Sequence, residues 1–442
     1  MKKNLFGTDG IRGRVGVHPF TRDALPELGS ALGAWILKTY GPGASVLLAH
    51  DTRNSCSWVK AALTSGMLLH PLHLVDAQVL PTPAVLCLIQ KKLSHFSCGI
   101  IISASHNPYQ DNGIKIIDAA TGKISHADET TITELFYADS VEQQQSLFGT
   151  STALANASEL YAETVTALFP PLFLRGKTIV LDCAHGATSS LAETIFTACG
   201  AKVIVINSQP TGTNINECCG ALHPEELQRA VLEHKADAGF AFDGDGDRVI
   251  AVSSHGEVKN GDDILALLSQ HPLYSSQPVV IGTIMSNQGF ELFLRNNGKL
   301  LVRAAVGDKY VAQELNAKNL LLGGEQSGHI IVRDYLPSGD GIVAALRTVE
   351  ALQHTHNPTM ETFTKYPQVL LNIAVPTKKD LSLSPFREII EVNQSQLSTG
   401  RLLVRYSGTE SVLRIMAEAE NLEQAQSTAA LVSQQLAHAL SQ

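Results

Sequence analysis

GIIISASHNPYQDNGIK, residues 99–115, sets an unbroken apolar run directly before a loop of turn formers, with Ser105 on the loop, His106 beside it and Lys115 downstream. The run reads as a strand that presents a hydroxyl nucleophile. Similar short apolar runs lie at 46–49, 178–181, 203–206, 238–242, 279–281 and 320–322, alternating with helical patterns. This alternation predicts an α/β fold with mixed or parallel sheets. Polar, turn-rich stretches at 140–158, 253–262 and 354–367 divide the chain. They predict α/β domains over 1–152, 153–256 and 257–366. The remainder, 367–442, has strand runs at 369–375, 402–405 and 412–416 and an Ala/Gln/Leu-rich helical tail from Asn421, and reads as a smaller α+β domain.

The length of 442 residues suits three or four domains, and 44% hydrophobic content suffices for real cores. A net charge of -9 with no Lys/Arg block argues against a nucleic-acid binder, so an anionic substrate needs a locally basic pocket. The seven cysteines are odd in number and contain no CxxC, which predicts reduced core residues rather than zinc or redox pairs. The N-terminal MKKNLFGTDGIRG has no apolar stretch after its lysines, and no run of about 18 apolar residues occurs anywhere. Neither export nor a membrane partner is expected, and a cytoplasmic location is.

The chemistry concentrates in four loops. Asp243-Gly-Asp245-Gly-Asp247-Arg248 follows the run 238–242 and crowds three carboxylates into five residues, where they repel unless a cation neutralises them. An EF-hand fits badly, because Arg248 stands where the loop needs Gly and Ser254 where it needs Glu. The tail of the loop also looks like the aspartate-nucleophile signature of haloacid-dehalogenase-type phosphatases, a reading that leaves Asp243 and the Ser105 loop unexplained. For Ser105, an ordinary turn and a Ser-His-Asp hydrolase are the competing readings. GxSxG is absent, and His106 is a sequence neighbour badly placed to act as base. A serine that accepts phosphate in a covalent relay beside Mg²⁺ fits better. Gly324-Glu325-Gln326-Ser327-Gly328-His329 suits hydrogen bonding to vicinal sugar hydroxyls, with a helix-entry turn as the plainer alternative. Arg405-Tyr406-Ser407-Gly408-Thr409-Glu410, with Arg414 beyond, has a plain hairpin as its simpler alternative, but its Gly-containing turn, two hydroxyls and two arginines make a phosphate nest. Gly176-Lys177-Thr178 lacks the leading glycine of a Walker motif and is set aside.

Together these loops resemble the α-D-phosphohexomutase family, and within it the bacterial branch acting on glucosamine phosphates. The likeness runs through FGTDGIRG (6–13), Asp51-Thr52-Arg53, Pro81-Thr82-Pro83, SASHNP (103–108), GTNIN (212–216), FDGDGDR (242–248), Met285-Ser286-Asn287, Val306-Gly307-Asp308, GEQSGH and SGTE. The resemblance implies three related α/β domains and a smaller α+β domain around one cleft. It implies a phosphate on Ser105, and one Mg²⁺ held by Ser105, Asp243, Asp245 and Asp247. It further implies isomerisation of glucosamine 6-phosphate to glucosamine 1-phosphate through a glucosamine 1,6-bisphosphate intermediate, feeding UDP-N-acetylglucosamine and cell-wall precursor synthesis. By the same resemblance, Arg12, His106, Lys115 and Arg248 lie near the reacting phosphate, with Lys115 or a histidine moving the proton. Glu325, Ser327 and His329 meet the sugar, and Arg405, Ser407, Gly408, Thr409 and Arg414 hold the far phosphate. A homodimer, and a kinase or autophosphorylation for activation, belong to the same set of expectations. Ser411, His185, Ala221-Leu222, Ser338 and His50 depart from the family pattern, and none is a metal ligand. Phosphomannomutase or phosphoglucomutase activity on the same scaffold stays open, as does a non-catalytic sugar-phosphate sensor. Gln326, where hexose relatives often carry Met, tilts the reading toward glucosamine.

Overall fold

The computed structural model describes residues 5–7, 9–91, 96–119, 122–138, 148–375, 377–407 and 411–441. The chain forms two compact units, Met1–Met285 with Leu301–Glu361, and Ser286–Leu300 with Thr362–Gln442.

The first unit holds three sheets built on one plan. The largest has six strands in the order Ile11–Arg14, Asp111–Asp118, Phe96–Ile102, Ser45–His50, His73–Val79, Thr150–Ala153. Its right-hand strands run parallel, as helical crossovers dictate, whereas Phe96–Ile102 and Asp111–Asp118 form an antiparallel pair joined by the Ser105 loop. The second sheet orders Val258–Lys259, Val249–Ser253, Ala238–Phe242, Thr178–Asp182, Lys202–Ile206. Its last three strands are parallel, Ala238–Phe242 turns back through the acidic loop into antiparallel Val249–Ser253, and Val258–Lys259 adds a further antiparallel strand. In the third sheet, Leu300–Ala304, Val279–Thr283, Leu322–Gly324, Ile330–Val332, the antiparallel turn between the last two carries Glu325 and Ser327. Each sheet therefore ends its parallel run in a hairpin whose loop carries polar chemistry. The helix-entry alternative for 324–329 is thereby excluded.

Lys202–Ile206 and, in the second unit, Gln368–Ala374 and Arg401–Tyr406 are only half-buried, whereas the clearest runs in the sequence come from strands buried on both faces. Every residue of Ala238–Phe242 is buried, for example, and so is nearly every residue of Phe96–Ile102. The expected strand at 320–322 is displaced to Leu322–Gly324. Leu320 still closes the helix Asp308–Ala317, donating its N–H to the Leu315 carbonyl. The polar stretch 253–262 contains the return strand Val258–Lys259 and a helix cap. There the Asn260 side chain accepts from the N–H groups of Asp262 and Asp263, and Asp263 reaches back to Asn260 N–H. The stretch 140–158 likewise yields the exposed edge strand Thr150–Ala153, although residues 139–147 lie outside the described part.

In the second unit, antiparallel strands Gln368–Ala374, Val412–Glu418 and Arg401–Tyr406 pack helices Phe386–Ser395 and Leu422–Ser441 over a core that includes Phe386, Leu413, Ile415, Val432 and Leu436. All seven cysteines are free. Six are buried, and Cys218 is exposed rather than a core residue. Among the described residues no helix is long and apolar enough to cross a membrane.

Candidate active site

Ser105 stands at the turn after the strand Phe96–Ile102 with φ +53°, a left-handed conformation that a non-glycine residue holds only when its surroundings over-determine it. Those surroundings are visible. Ser105 N–H donates to Ser103 Oγ at 2.9 Å, and Ser103 Oγ donates to Asp51 Oδ2 at 2.7 Å. Arg53, itself buried and paired to Asp51 at 2.8 Å, donates to the carbonyls of Ser105 and Asn107, each at 2.9 Å, and also to that of Pro108. From the second sheet's side, Asn216 Nδ2 donates to the Ser105 carbonyl at 2.9 Å. The carbonyls of the loop are thus saturated with donors, while its hydroxyl points elsewhere.

Ser105 Oγ donates to Asp243 Oδ2 at 2.6 Å, which joins the nucleophile to the acidic loop. Two glycines make this approach possible. A Cβ on Gly244 would sit 2.6 Å from the Ser105 carbonyl oxygen, and Gly246 has φ +73° with Thr188 Cγ2 2.7 Å from where its Cβ would be. Ligand oxygens of Asp243, Asp245 and Asp247 lie within 4.8 Å of one another, and all three residues are buried. Thr82 Oγ1 at 2.6 Å and Lys115 Nζ at 2.7 Å occupy Asp245 Oδ2. Asp245 Oδ1 and Asp247 Oδ1 are buried and accept no hydrogen bond. Burial, then Asp247 and Asp245, push the Asp243 carboxyl well above the usual range. Two orphaned carboxylate oxygens beside a serine hydroxyl, all oxygen donors, fit a hard divalent cation.

Cations ring this cluster. Lys115 Nζ reaches Asp245, Asp247 and Asp9 at 2.7, 3.1 and 3.1 Å. Burial alone would lower its pKa, but these carboxylates overcome that and hold it well above the ordinary lysine value. In this arrangement Lys115 is an ammonium, suited to giving a proton rather than taking one. Arg12 pairs with Asp9 at 2.6 Å and donates to the Ala104 carbonyl at 3.1 Å. His106 Nδ1 lies 3.3 Å from Ser105 Oγ, and burial, Arg248 and Arg12 lower its pKa to about 4, so it is neutral there. Arg248 donates its backbone N–H to Asp243 Oδ1 at 3.2 Å, while its buried Nε makes no hydrogen bond. Glu325 is buried with Oε1 accepting from Gly307 N–H at 2.9 Å and Oε2 from Ser327 Oγ at 3.3 Å. His329 Nε2 accepts from Gly339 N–H at 3.1 Å, which places the ring proton on Nδ1, 3.7 Å from Asp247 Oδ1.

The structure therefore brings Ser105, His106, Lys115, Arg12, Arg248, the three aspartates and His329 into one cluster, with Glu325 and Ser327 on the neighbouring hairpin. Arg405 and Arg414 face each other across paired strands of the second unit, and Ser407 follows, buried. Gly408 and Thr409 lie outside the described residues. Five residues holding the cluster received no role from the sequence: Asp9, Arg53, Thr82, Lys123 and Asp308. All but Lys123 sit inside motifs quoted for the family likeness. A cavity of about 430 Å³ is walled by Asp9, Lys115, Lys123, Asp247, Asp308 and His329, and Ser105 does not line it. A second cluster, His271, Glu350 and His354, has metal-like spacing. His271 Nδ1 accepts from Leu273 N–H, so its proton faces Glu350 Oε2 at 3.2 Å. With Arg347 at 2.6 Å from the same oxygen, that cluster is an ion-pair network.

Residues 3–143, 159–256 and 260–369 match the phosphoglucomutase/phosphomannomutase alpha/beta/alpha domains I, II and III, and 370–435 match the C-terminal domain of the same family. The phosphoglucosamine mutase of Syntrophotalea carbinolica is 38% identical over 433 residues, covering 95% of this chain and 94% of its own. A phosphoglucomutase/phosphomannomutase family protein from Burkholderia thailandensis shares the fold with TM-score 0.82 at 21% identity, over 99% of this chain and 98% of that one. Aspergillus fumigatus N-acetylphosphoglucosamine mutase, solved with GlcNAc-6P and magnesium, is similar at TM-score 0.68 and 17% identity, over 99% and 96% of the two chains. With four domains matched in order and a full-length relative at this identity, the chain belongs to the phosphoglucomutase/phosphomannomutase family, in its phosphoglucosamine mutase branch.

Proposed function

We propose that the chain interconverts glucosamine 6-phosphate and glucosamine 1-phosphate, with Ser105 carrying the transferred phosphoryl group. The observation that carries this reading is the 2.6 Å bond from Ser105 Oγ to Asp243 beside two buried carboxylate oxygens that accept no hydrogen bond. Full-length likeness to phosphoglucosamine mutases supports the substrate. Asp243, Asp245 and Asp247, with an oxygen on Ser105, would hold Mg²⁺, which when bound supplies charge neutralisation at the phosphoryl oxygens. Arg12 and Arg248 add positive charge on the same side, and the fixed Ser105 backbone keeps the hydroxyl oxygen in line. The phosphoryl group leaves Ser105 for the free hydroxyl of the sugar phosphate, giving glucosamine 1,6-bisphosphate. After the sugar reverses, its other phosphoryl group returns to Ser105 and the serine–phosphate bond re-forms. Lys115, held as an ammonium, protonates the departing serine oxygen, and the sugar hydroxyl's proton passes to the carboxylate cluster. Glu325 and Ser327 grip ring hydroxyls with His329 alongside. Arg405, Ser407, Gly408, Thr409 and Arg414 would take the far phosphate.

Within this reading the lobes divide near residues 152, 256 and 366, activation comes from a kinase, autophosphorylation or the bisphosphate, and the protein pairs as a homodimer. A cytoplasmic location accords with seven free cysteines. The test is kcat/KM for glucosamine, glucose and mannose phosphates with Mg²⁺ and a trace of the matching bisphosphate, beside Ser105→Ala. A glucosamine preference lost in the variant is expected. A preference for glucose or mannose would replace the substrate, and turnover surviving Ser105→Ala would end the phosphoserine mechanism.

A further inference from the structure

Lys123 is a partly exposed residue in a turn of the first lobe, and its ammonium lies between two carboxylates contributed by different lobes. Nζ is 2.7 Å from Asp9 Oδ1 and 2.5 Å from Asp308 Oδ2. Asp9 is the residue whose other oxygen binds Arg12 at 2.6 Å and Lys115 at 3.1 Å, so it belongs to the reacting end of the site. Asp308 opens the helix Asp308–Ala317 on the third lobe. Immediately before it, Gly307 has φ +129° and donates its N–H to Glu325 Oε1 at 2.9 Å. A short chain of contacts thus runs from the cations around Ser105, through Asp9, Lys123 and Asp308, to the turn that orients Glu325.

We infer that Lys123 is a positioning residue, tying the sugar-gripping turn of the third lobe to the phosphoserine lobe by bridging Asp308 to Asp9. The inference rests on Glu325 gripping the sugar, as proposed above. The two ends of the bridge are not equivalent. Asp9 keeps Arg12 and Lys115 when Lys123 is removed, whereas Asp308 loses its closest cation; the neighbouring ring nitrogen, His329 Nε2, is 3.8 Å away and accepts from Gly339 N–H, so it presents no proton to Asp308. Loss of Lys123 therefore falls on the sugar side. Glu325 keeps Ser327 but loses the fixed placement of the Gly307 N–H, so sugar binding weakens while the cation cluster stays assembled.

The test uses Lys123→Arg and the charge-balanced pair Lys123→Met with Asp308→Asn, because Lys123→Met alone leaves the half-buried Asp308 carboxylate without its closest cation and can lower stability. Thermal unfolding establishes that each variant is folded. With whichever hexose phosphate the wild type turns over, the pair is expected to raise the sugar KM by about tenfold and leave the Mg²⁺ midpoint within about twofold. Lys123→Arg, which keeps the charge, is expected to recover most of the loss. Hydrogen exchange at 303–312 and 322–330 should speed up in the pair, a readout that needs no turnover. An unchanged KM and unchanged exchange in the folded pair would overturn the inference. So would a Mg²⁺ midpoint that moves as far as KM, since Lys123 would then act through Asp9 and Lys115. Should the wild type turn over no hexose phosphate, the functional proposal fails by itself, and the exchange comparison still decides the role of Lys123.

Discussion

Replacing Thr82 by valine removes one hydroxyl and keeps the shape, and the structure assigns that hydroxyl a single task. Thr82 Oγ1 donates to Asp245 Oδ2 at 2.6 Å, both residues being buried. Together with Lys115 it occupies Asp245 Oδ2 and fixes the carboxylate, leaving Oδ1 buried and without a hydrogen bond. A hydrogen bond to a charged acceptor is worth about 1.5–3 kcal/mol. If that energy serves to orient Asp245 for a cation, its loss weakens cation binding by roughly 10- to 100-fold. Fold disruption should stay small, because the Thr82 backbone N–H still donates to the Asp245 carbonyl at 2.9 Å and Lys115 still pairs with the carboxylate. The assay is the Mg²⁺ dependence of turnover, with calorimetric titration of Mn²⁺ into the protein as a check free of substrate. Thr82→Ser should restore the wild-type midpoint. A Thr82→Val protein that unfolds at its normal temperature yet binds Mg²⁺ within about twofold of wild type would refute the argument that this contact orients the ligand.

Other consequences follow from the same geometry. Gly244→Ala places a Cβ 2.6 Å from the Ser105 carbonyl oxygen, so the serine shifts and kcat should fall on the order of 100-fold, read by steady-state kinetics. Arg53→Met strands buried Asp51 and strips donors from three loop carbonyls; urea unfolding should show a loss of about 3–5 kcal/mol. Asp340 caps the helix Gly341–Thr355 and accepts from Tyr161 Oη at 2.8 Å, and burial raises its pKa from 3.8 to about 6. Because the folded value lies above the unfolded one, its stabilising contribution is complete below about pH 4 and is lost as pH rises through about 6. Asp340→Asn, which can still cap, should therefore gain thermal stability relative to wild type between pH 4 and 8, by on the order of 3 kcal/mol; a pH-independent difference would remove the argument.

What the sequence displays and what it hides divide along a physical line. A strand buried on both faces leaves a run such as 238–242, whereas Thr150–Ala153, exposed at all four positions on a sheet edge, looks like the polar linker it adjoins. The loops that carry chemistry are legible because polar residues directly follow such runs. Their hairpin geometry is not, since both partners of the turn must be recognised and Ile330–Val332 is three residues long. Least legible are side chains whose function comes from register between distant segments. Lys115 meets Asp245 across 130 positions and Thr82 meets it across 163, so no local pattern marks either contact. Thr82 is instructive because it opens the helix Thr82–Gln90 between two prolines, and its backbone N–H and hydroxyl both turn to Asp245. A motif can thus identify a family without disclosing that its threonine holds a metal ligand. Net charge misleads in the same way. The chain carries -9 overall, yet Arg12, Lys115, Lys123 and Arg248 interleave with Asp9, Asp243, Asp245, Asp247 and Asp308. That near balance is what lets the cluster accept both a divalent cation and a phosphoryl group, and only the assembled fold brings it about.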